Sequence, residues 1–248
     1  MCGRFVAASP PRLLADQFEV DDVAVDDRAP DYNVTPRADV PVVLNRRDRR
    51  VLDTARWGLV PSWARDPKIG DRLINARAET LASSSAYGAA FRRRRCVIPA
   101  DGFYEWWRRP GRPRRAVFLS PPGGRPLAFA GLWEAWRDPS GGPEASWLVT
   151  CTIVTTAANA EVAAVHDRMP VVLGDDWAAW LDPAQGRPAL RSLLVPAPAG
   201  TLVGHLVSPL VNQPANNGPE LIAPVGSLEE ALAEPDVRGE IHALTLFD

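Results

Sequence analysis

Four short stretches of the sequence concentrate residue types that can do chemistry. They are MCGR at the amino terminus, LINARAET, ADGFYEWW and VHDRMP, and they contribute Cys2, Asn75, Glu105 and His166. A thiol is a nucleophile, and a carboxylate and an imidazole transfer protons. The flanking residues predict that all four stretches lie at strand ends or turns. Taken singly, Glu105 could be a strand residue facing water, His166 a turn cap and Asn75 a turn residue.

Sequence signatures of metal and cofactor sites are missing. The three histidines, His166, His205 and His242, lie far apart in the chain, without an H-x-x-x-H pair or a C-x-x-C pair. The glycine-rich phosphate-binding patterns and the G-x-S-x-G nucleophile turn are also absent from the sequence. We therefore expect no metal and no cofactor.

Composition narrows the class of protein. The chain has 248 residues, 28 basic and 30 acidic side chains and a formal net charge of −2, so affinity for nucleic acid has to come from local arginine clusters. Lys68 is the single lysine.

The three cysteines are odd in number, and Cys96 and Cys151 lie in apolar runs, which predicts buried free thiols in a reducing compartment. No apolar run approaches the ~18 residues needed to span a bilayer, so a cytoplasmic protein without membrane contact is expected.

Periodicity predicts mostly strands. We expect a helix after Ser9 as N-cap, with Pro10 and Pro11 in its first turn, then a solvated acidic loop over residues 19–31. The expected strands are VPVVLN, ARWGLVP, RCVIPA, GFYEWW, RAVFLS, LAFAGLWEAW and SWLVTCTIVTT, and further short helices are expected at 78–93, 159–164, 175–181 and from Ser227, where Glu230 completes a capping-box pattern.

Strands that outnumber helices, without regular βαβ alternation, indicate the α+β class. We expect a curved, barrel-like, mainly antiparallel sheet flanked by short helices. The sequence contains no repeat, no low-complexity linker and no evident boundary, so residues 1–248 are expected to form a single domain.

The four stretches, in order and wording, resemble the SOS response-associated peptidase (SRAP) family. The resemblance continues through YNVTP, RWGLVPSWA, FAGLWEAW and VNQPANNGPELIAPV and covers nearly the whole chain. It implies the SRAP fold. It also implies that Met1 is removed and that Cys2, as the new amino terminus, crosslinks covalently to abasic sites in single-stranded DNA.

The implied reaction agrees with the chemistry of a terminal cysteine. A ring-opened abasic sugar carries an aldehyde, which an unprotonated amine attacks. An α-amine with a pKa near ~7.7 is unprotonated to about a sixth at pH 7, against about 0.04% for a lysine near ~10.4. The thiol of the same residue can close a five-membered thiazolidine on the imine. The resemblance further implies that Glu105 manages protons, that His166 opens the sugar ring and shuttles a proton, and that Asn75 holds the substrate or the terminal residue.

The resemblance also implies a DNA-binding set. Arg4 and Arg77 would clamp the phosphates that flank the lesion, and Trp63 and Pro36 would stack on or wedge against bases. The arginine runs FRRRRC and RRPGRPRR could extend this track or simply face solvent. The expected partner is single-stranded DNA containing abasic sites, bound by a monomer.

Two other functions remain open at this point. A thiol peptidase could be formed by Cys2, His166 and Glu105. Only Met1 precedes Cys2, so removal of Met1 explains the sequence without any external protein substrate. A non-covalent reader of modified single-stranded DNA could use the same arginines and aromatic rings. A strand-cleaving lyase activity could accompany crosslinking. The acidic residues of 19–31 would repel DNA if they faced the DNA-binding surface.

Overall fold

The computed structural model describes residues 2–25, 28–109, 112–142 and 144–233. The strands are β1 (Arg4–Ala7), β2 (Asp22–Val23), β3 (Asp31–Val34), β4 (Asp39–Arg46), β5 (Arg49–Trp57), β6 (Asn75–Arg77), β7 (Arg95–Ala100), β8 (Gly102–Trp107), β9 (Arg115–Ser120), β10 (Leu127–Arg137), β11 (Trp147–Ala157), β12 (Arg168–Pro170), β13 (Val203–Val207) and β14 (Pro224–Ser227). The α-helices are α1 (Pro11–Gln17), α2 (Gly88–Arg93), α3 (Ala160–Ala163), α4 (Trp177–Leu181), α5 (Arg187–Ser192) and α6 (Leu228–Ala233), and short 3-10 helices cover Pro67–Arg72, Gly174–Asp176, Pro209–Asn212 and Pro219–Ile222.

A closed barrel forms the centre of the fold. Its strands follow the order β11-β10-β7-β4-β5, and a parallel pairing of β11 with β5 closes the ring. The interior is filled by large apolar side chains such as Trp57, Phe129 and Ile153, all fully buried. The predicted α+β class, with a barrel-like, mainly antiparallel sheet flanked by short helices, is confirmed.

A second antiparallel sheet packs against the barrel. Its strands follow the order β14-β13-β9-β8-β1-β3. The two sheets share one apolar core, in which the ring centroid of Phe5 on β1 lies 5.1 Å from that of Trp57, and Phe103 on β8 lies 5.9 Å from Phe129. This packing fixes β1, which follows Cys2, and β8, which carries Glu105.

Most of the predicted strands are confirmed, but two details of the helices are wrong. Within 78–93, only Gly88–Arg93 is helical. The preceding residues form turns in which the hydroxyl groups of Ser83 and Ser84 bond to nearby backbone groups, which competes with helix formation. Ser9 does not cap α1, because its hydroxyl donates to the carboxylate of Asp101, and Pro10 occupies the N-cap position.

The helix expected from Ser227 is confirmed together with part of its capping pattern. The amide of Glu230 donates to the hydroxyl oxygen of Ser227 at 3.2 Å. This bond satisfies one of the amide groups that a helix start leaves without an intrahelical partner.

Part of the acidic segment 19–31, predicted as a solvated loop, pairs with the barrel strand β5. Asp22 and Val23 form the edge strand β2, which pairs in parallel with β5. The carboxylate of Glu19 lies 3.1 Å from the guanidinium of Arg50, and that of Asp21 accepts the Arg50 backbone amide at 2.7 Å. The β5 arginine therefore offsets part of the negative charge. Residues 26–27 of the segment lie outside the described residues.

Among the described residues, no helix is long and apolar enough to cross a membrane. The same residues contain no group of three or more His, Cys, Asp or Glu side chains arranged to hold a metal ion.

A close backbone contact between two glycines gives a stability prediction. A Cβ at Gly70 would lie 2.5 Å from the carbonyl oxygen of Gly58, and Gly58 itself has a φ of 126°. We expect Gly70→Ala to lower the free energy of unfolding by more than about 2 kcal/mol, measured by urea denaturation. In the control Gly186→Ala, the new Cβ meets its nearest atom at 3.7 Å, and we expect a change below about 1 kcal/mol. Equal effects of the two substitutions would contradict the proposed clash.

Candidate active site

Strand β6 brings Asn75 to the amino terminus. It pairs in parallel with β11, with Asn75 opposite Ile153. From this position the side-chain amide of Asn75 donates to the carbonyl oxygen of Cys2 at 2.7 Å. The hydroxyl of Tyr87 donates to the backbone carbonyl of Asn75 at 3.1 Å, which adds a second anchor to this residue. The hydrogen bond to Cys2 joins residues 73 positions apart.

Cys2 is completely buried, and its thiol contacts the carbonyl oxygen of Arg4 at 3.7 Å. Burial raises the pKa of the Cys2 thiol, and the nearby charge of Glu105 raises it further. The thiol is therefore protonated at neutral pH. A thiol in this state is a weak nucleophile, because the thiolate is the reactive form.

Glu105 lies beside Cys2 through the register of the second sheet. Strands β1 and β8 are antiparallel, with Arg4 opposite Tyr104 and Phe5 opposite Phe103, so continuing the register places Glu105 opposite Gly3. Glu105 is only 3% exposed. Burial raises its pKa to about 7, and the charge of Asp167 also raises it. A carboxyl group that titrates near neutrality can both accept and donate a proton at physiological pH.

His166 follows α3 and precedes β12. Its ring Nδ1 lies 3.0 Å from the amide of Arg168 and also 2.8 Å from a carboxylate oxygen of Asp167. The two contacts require opposite roles of Nδ1, since the amide donates and the carboxylate accepts. Burial lowers the pKa of the His166 imidazole, and the Asp167 side chain is 85% exposed, so we assign the neutral ring with Nδ1 accepting from Arg168. The proton then sits on Nε2.

The structure therefore brings the four predicted catalytic residues into one cluster. Asn75 donates a hydrogen bond to Cys2, and the charge of Glu105 raises the pKa of the Cys2 thiol. The charge of Asp167, the residue after His166, raises the pKa of Glu105. The cluster combines a thiol, an acid-base carboxyl group, an imidazole and an orienting amide.

The four predicted DNA-binding residues occupy different environments. One amino group of Arg4 donates to the side-chain oxygen of Asn33 at 2.6 Å and to the carbonyl of Val211 at 2.7 Å, so this guanidinium is partly occupied by internal bonds. Arg77 is exposed on β6. Trp63 is 58% exposed. Pro36 is half-buried in the turn between β3 and β4.

Two structural links within the motifs were missed at the sequence level. Arg168 forms a bidentate salt bridge with Glu79, with N–O distances of 2.5 and 3.0 Å. This pair connects the H-D-R-M-P segment to the N-A-R-x-E-T segment. The side-chain amide of Asn33 donates to the carbonyls of Gln213 at 3.1 Å and of Asn216 at 2.9 Å. The opposite charges of Arg168 and Glu79 are the only signal that the sequence offers for the first link. Nothing in the sequence indicates the second.

Fold and site together define a β-barrel protein in which Cys2 lies beside a buried carboxyl group, Glu105. Residues 1–214 match the family described as SOS response associated peptidase (SRAP). The chain belongs to the SRAP family.

Relatives agree with this assignment, and a solved structure has the same fold. The chain is 42% identical over 225 residues to abasic site processing protein YoqW of Bacillus subtilis, covering 90% of this chain and 99% of the relative. It is 36% identical over 227 residues to abasic site processing protein HMCES of Gallus gallus, covering 79% of this chain and 66% of the relative. A crystal structure of a protein from Bacteroides thetaiotaomicron matches with a TM-score of 0.80 at 21% identity, over 90% of this chain and 100% of the other, and shows the same fold.

The raised pKa of Glu105 predicts how stability depends on pH. The native state binds a proton more tightly than the unfolded state, whose glutamates titrate near ~4.3, so stability falls as pH rises from about 4.5 to 7. We expect Glu105→Gln to remove this fall. Between pH 4.5 and pH 8, the free energy of unfolding of the variant should rise by up to about 3 kcal/mol relative to that of the wild type.

Urea denaturation of both proteins at several pH values measures this difference. Glu134→Gln is the matched control, because Glu134 is also buried but pairs with Arg94 at 2.6 Å. The assignment would be wrong if the wild type and Glu105→Gln followed parallel stability curves.

Proposed function

We propose that this protein processes abasic sites by forming a covalent crosslink between Cys2 and the ring-opened sugar in single-stranded DNA. The single observation that carries the proposal is the hydrogen bond of 2.7 Å from Asn75 to the Cys2 carbonyl, which holds residue 2 against a buried carboxyl group. The names of the relatives support the substrate, since several are abasic site processing proteins. Removal of Met1 is part of the proposal.

The proposed reaction uses the amine first and the thiol second. The α-amine of Cys2 adds to the C1′ aldehyde, and the resulting carbinolamine loses water to give an imine. The thiol then adds to the imine carbon and passes its proton to the nitrogen, which closes the thiazolidine. The balance is one amine, one thiol and one aldehyde giving one thiazolidine and one water.

The acid-base groups match the needs of these steps. Glu105, with a pKa raised to about 7 by burial, can take a proton from the terminal ammonium and return one to the leaving hydroxyl. The neutral imidazole of His166 can accept a proton from the sugar as its ring opens. The protonated thiol does not compete with the amine, because burial raises the pKa of Cys2.

The same pKa argues against a thiol peptidase as the main function. Thiol peptidases use a thiolate, whose pKa is lowered by a neighbouring positive charge. In this site, burial and Glu105 raise the pKa of Cys2 instead. A non-covalent reader would need Arg77 and Trp63 but would give no reason for a buried thiol beside a buried carboxyl group.

Substitution of Cys2 separates the two covalent steps. We expect the wild type to give a heat-stable band on a denaturing gel with an oligonucleotide carrying one abasic site. Cys2→Ser and Cys2→Ala should lose this band by more than about 100-fold, because neither closes a thiazolidine. Both should still be trapped by borohydride as the reduced imine, because both keep a terminal amine.

The control is Cys96→Ala, which removes a buried thiol of the barrel and should leave the heat-stable band in place. Intact mass measures the loss of Met1 in each protein. A heat-stable band that persists in Cys2→Ala and disappears in Lys68→Arg would transfer the reaction to the lysine amine and refute the proposal.

A further inference from the structure

A surface cavity of about 190 Å³ lies beside the β4–β5 hairpin, where the end of α2, the start of β7 and the end of α4 come together. Its lining residues include three arginines and one acid, Arg47, Arg93, Arg95 and Asp48. Pockets for drug-sized ligands measure about 300–1,000 Å³, so this cavity suits a smaller group. Its three guanidinium cations and one carboxylate leave two positive charges, which favour an anion on a chain whose net charge is −2.

Arg95 is the buried cation of this cavity, with only 6% of its surface exposed. Its guanidinium forms no ion pair with any described residue and donates instead to backbone carbonyls at 2.7–3.0 Å, those of Phe91, Arg92, Trp180 and Asp182. The charge of Asp182 acts on this guanidinium, but its carboxylate accepts the backbone amide of Ala184 at 2.8 Å. Because neutral carbonyls do not cancel a buried positive charge, an anion in the cavity would stabilise Arg95.

The turn that carries Arg47 has a strained backbone. Strands β4 and β5 are joined by Arg47 and Asp48 alone, whose φ angles of 47° and 64° lie in the left-handed region. Two-residue hairpin turns of this type favour Asn, Asp and Gly, because most other side chains are strained there. Strained residues of this kind concentrate at active sites and ligand clamps. An arginine at this position therefore indicates a role for its guanidinium at the cavity.

The exposed arginines of the cavity are available for a ligand. Two arginines next to them in the chain are neutralised by acids at 2.6 Å, in the pairs Arg94–Glu134 and Arg46–Asp53. Within the part of the chain that the structure describes, the exposed side chains of Arg47 and Arg93 form no hydrogen bond and no ion pair. The two residues lie on different elements, the β4–β5 turn and the end of α2, so their guanidinium groups can approach one ligand from two directions.

We propose that this cavity is a second binding site, which takes a phosphate dianion from free phosphate or from the terminal phosphate of a nucleotide. Arg47 and Arg93 hold the phosphate oxygens, and Arg95 supplies a fixed positive charge from the buried wall. Guanidinium groups match phosphate through paired N–H···O bonds. The site shares no residue with the Cys2 cluster, so it does not rest on the proposed crosslinking reaction.

Phosphate titrations of paired variants test the site. The test protein carries Arg47→Asn and Arg93→Gln. The matched control carries Arg12→Gln and Arg187→Gln, which remove the same charge from exposed positions on α1 and α5. Isothermal titration calorimetry gives the Kd for sodium phosphate. Thermal melting compares each protein in sodium phosphate and in sodium chloride at equal ionic strength.

We expect the wild type and the control to bind phosphate alike, with the Tm raised by about 5 °C at a hundredfold excess over Kd. The test protein should bind at least about tenfold more weakly, because it loses two charge-assisted contacts. Asp48→Asn should bind about threefold more tightly, because it removes the carboxylate from the cavity wall. Arg47→Asn alone should lose phosphate affinity without a lower Tm in chloride, because asparagine tolerates the left-handed turn. The site does not exist if phosphate acts on the test and control proteins alike.

Other ligands identify the source of the phosphate. ATP that binds more tightly than phosphate indicates a nucleotide, an equal or weaker affinity of ATP indicates free phosphate, and either result supports the site. Adenosine that binds as tightly as ATP would overturn the proposal, because adenosine carries no phosphate. A loss of about tenfold in oligothymidylate affinity in the test protein, without a specific phosphate response, would assign the arginines to DNA and refute the proposal. Crosslinking of an abasic oligonucleotide by Arg47→Asn should match that of the wild type, so a failure of the proposed function does not affect this site.

Discussion

The pairing of β11 with four other strands is the constraint on which the structure depends. β11 is antiparallel to β10 and β12 and parallel to β5 and β6. The pairing with β5 closes the barrel, and the register of the pairing with β6 places Asn75 opposite Ile153. β5 and β6 pair with consecutive parts of β11, at residues 150–151 and 153–155. Barrel closure and the orientation of Asn75 therefore share one origin.

Burial sets the chemistry at the amino terminus. The two sheets enclose Cys2 and Glu105 in one apolar surrounding, and the same desolvation raises the pKa of both groups. A carboxyl group near neutrality and a protonated thiol suit a reaction in which an amine acts first. Arg4, two residues from Cys2, bonds to Asn33 and Val211 through one amino group, which anchors the beginning of β1. The site thus depends on a tertiary contact with a residue 207 positions away along the chain.

The strands could be predicted from sequence, but their closure could not. Alternation and β-branched runs mark β7, β10 and β11 locally. The parallel contacts of β11 with β5 and β6 leave no local signal, since each joins segments far apart in the chain. The residues 78–87 have helical composition, yet short hydroxyl side chains and the strand before them favour turns. No single motif marks Cys2, Asn75, Glu105 and His166 as candidate site residues, because each motif alone has an ordinary structural explanation; the joint resemblance of the four motifs to a family does. The contact between Arg168 and Glu79 is visible only in the structure.

The most direct measurement is the site of attachment. The protein is reacted with an oligonucleotide carrying one abasic site, digested with nuclease and protease, and analysed by tandem mass spectrometry. We expect a sugar remnant on a peptide that begins with Cys2, lacks Met1 and resists alkylation at its thiol, since nitrogen and sulfur are both bonded to C1′. Attachment at Lys68, at Cys96 or Cys151, or to a chain that retains Met1 would contradict it.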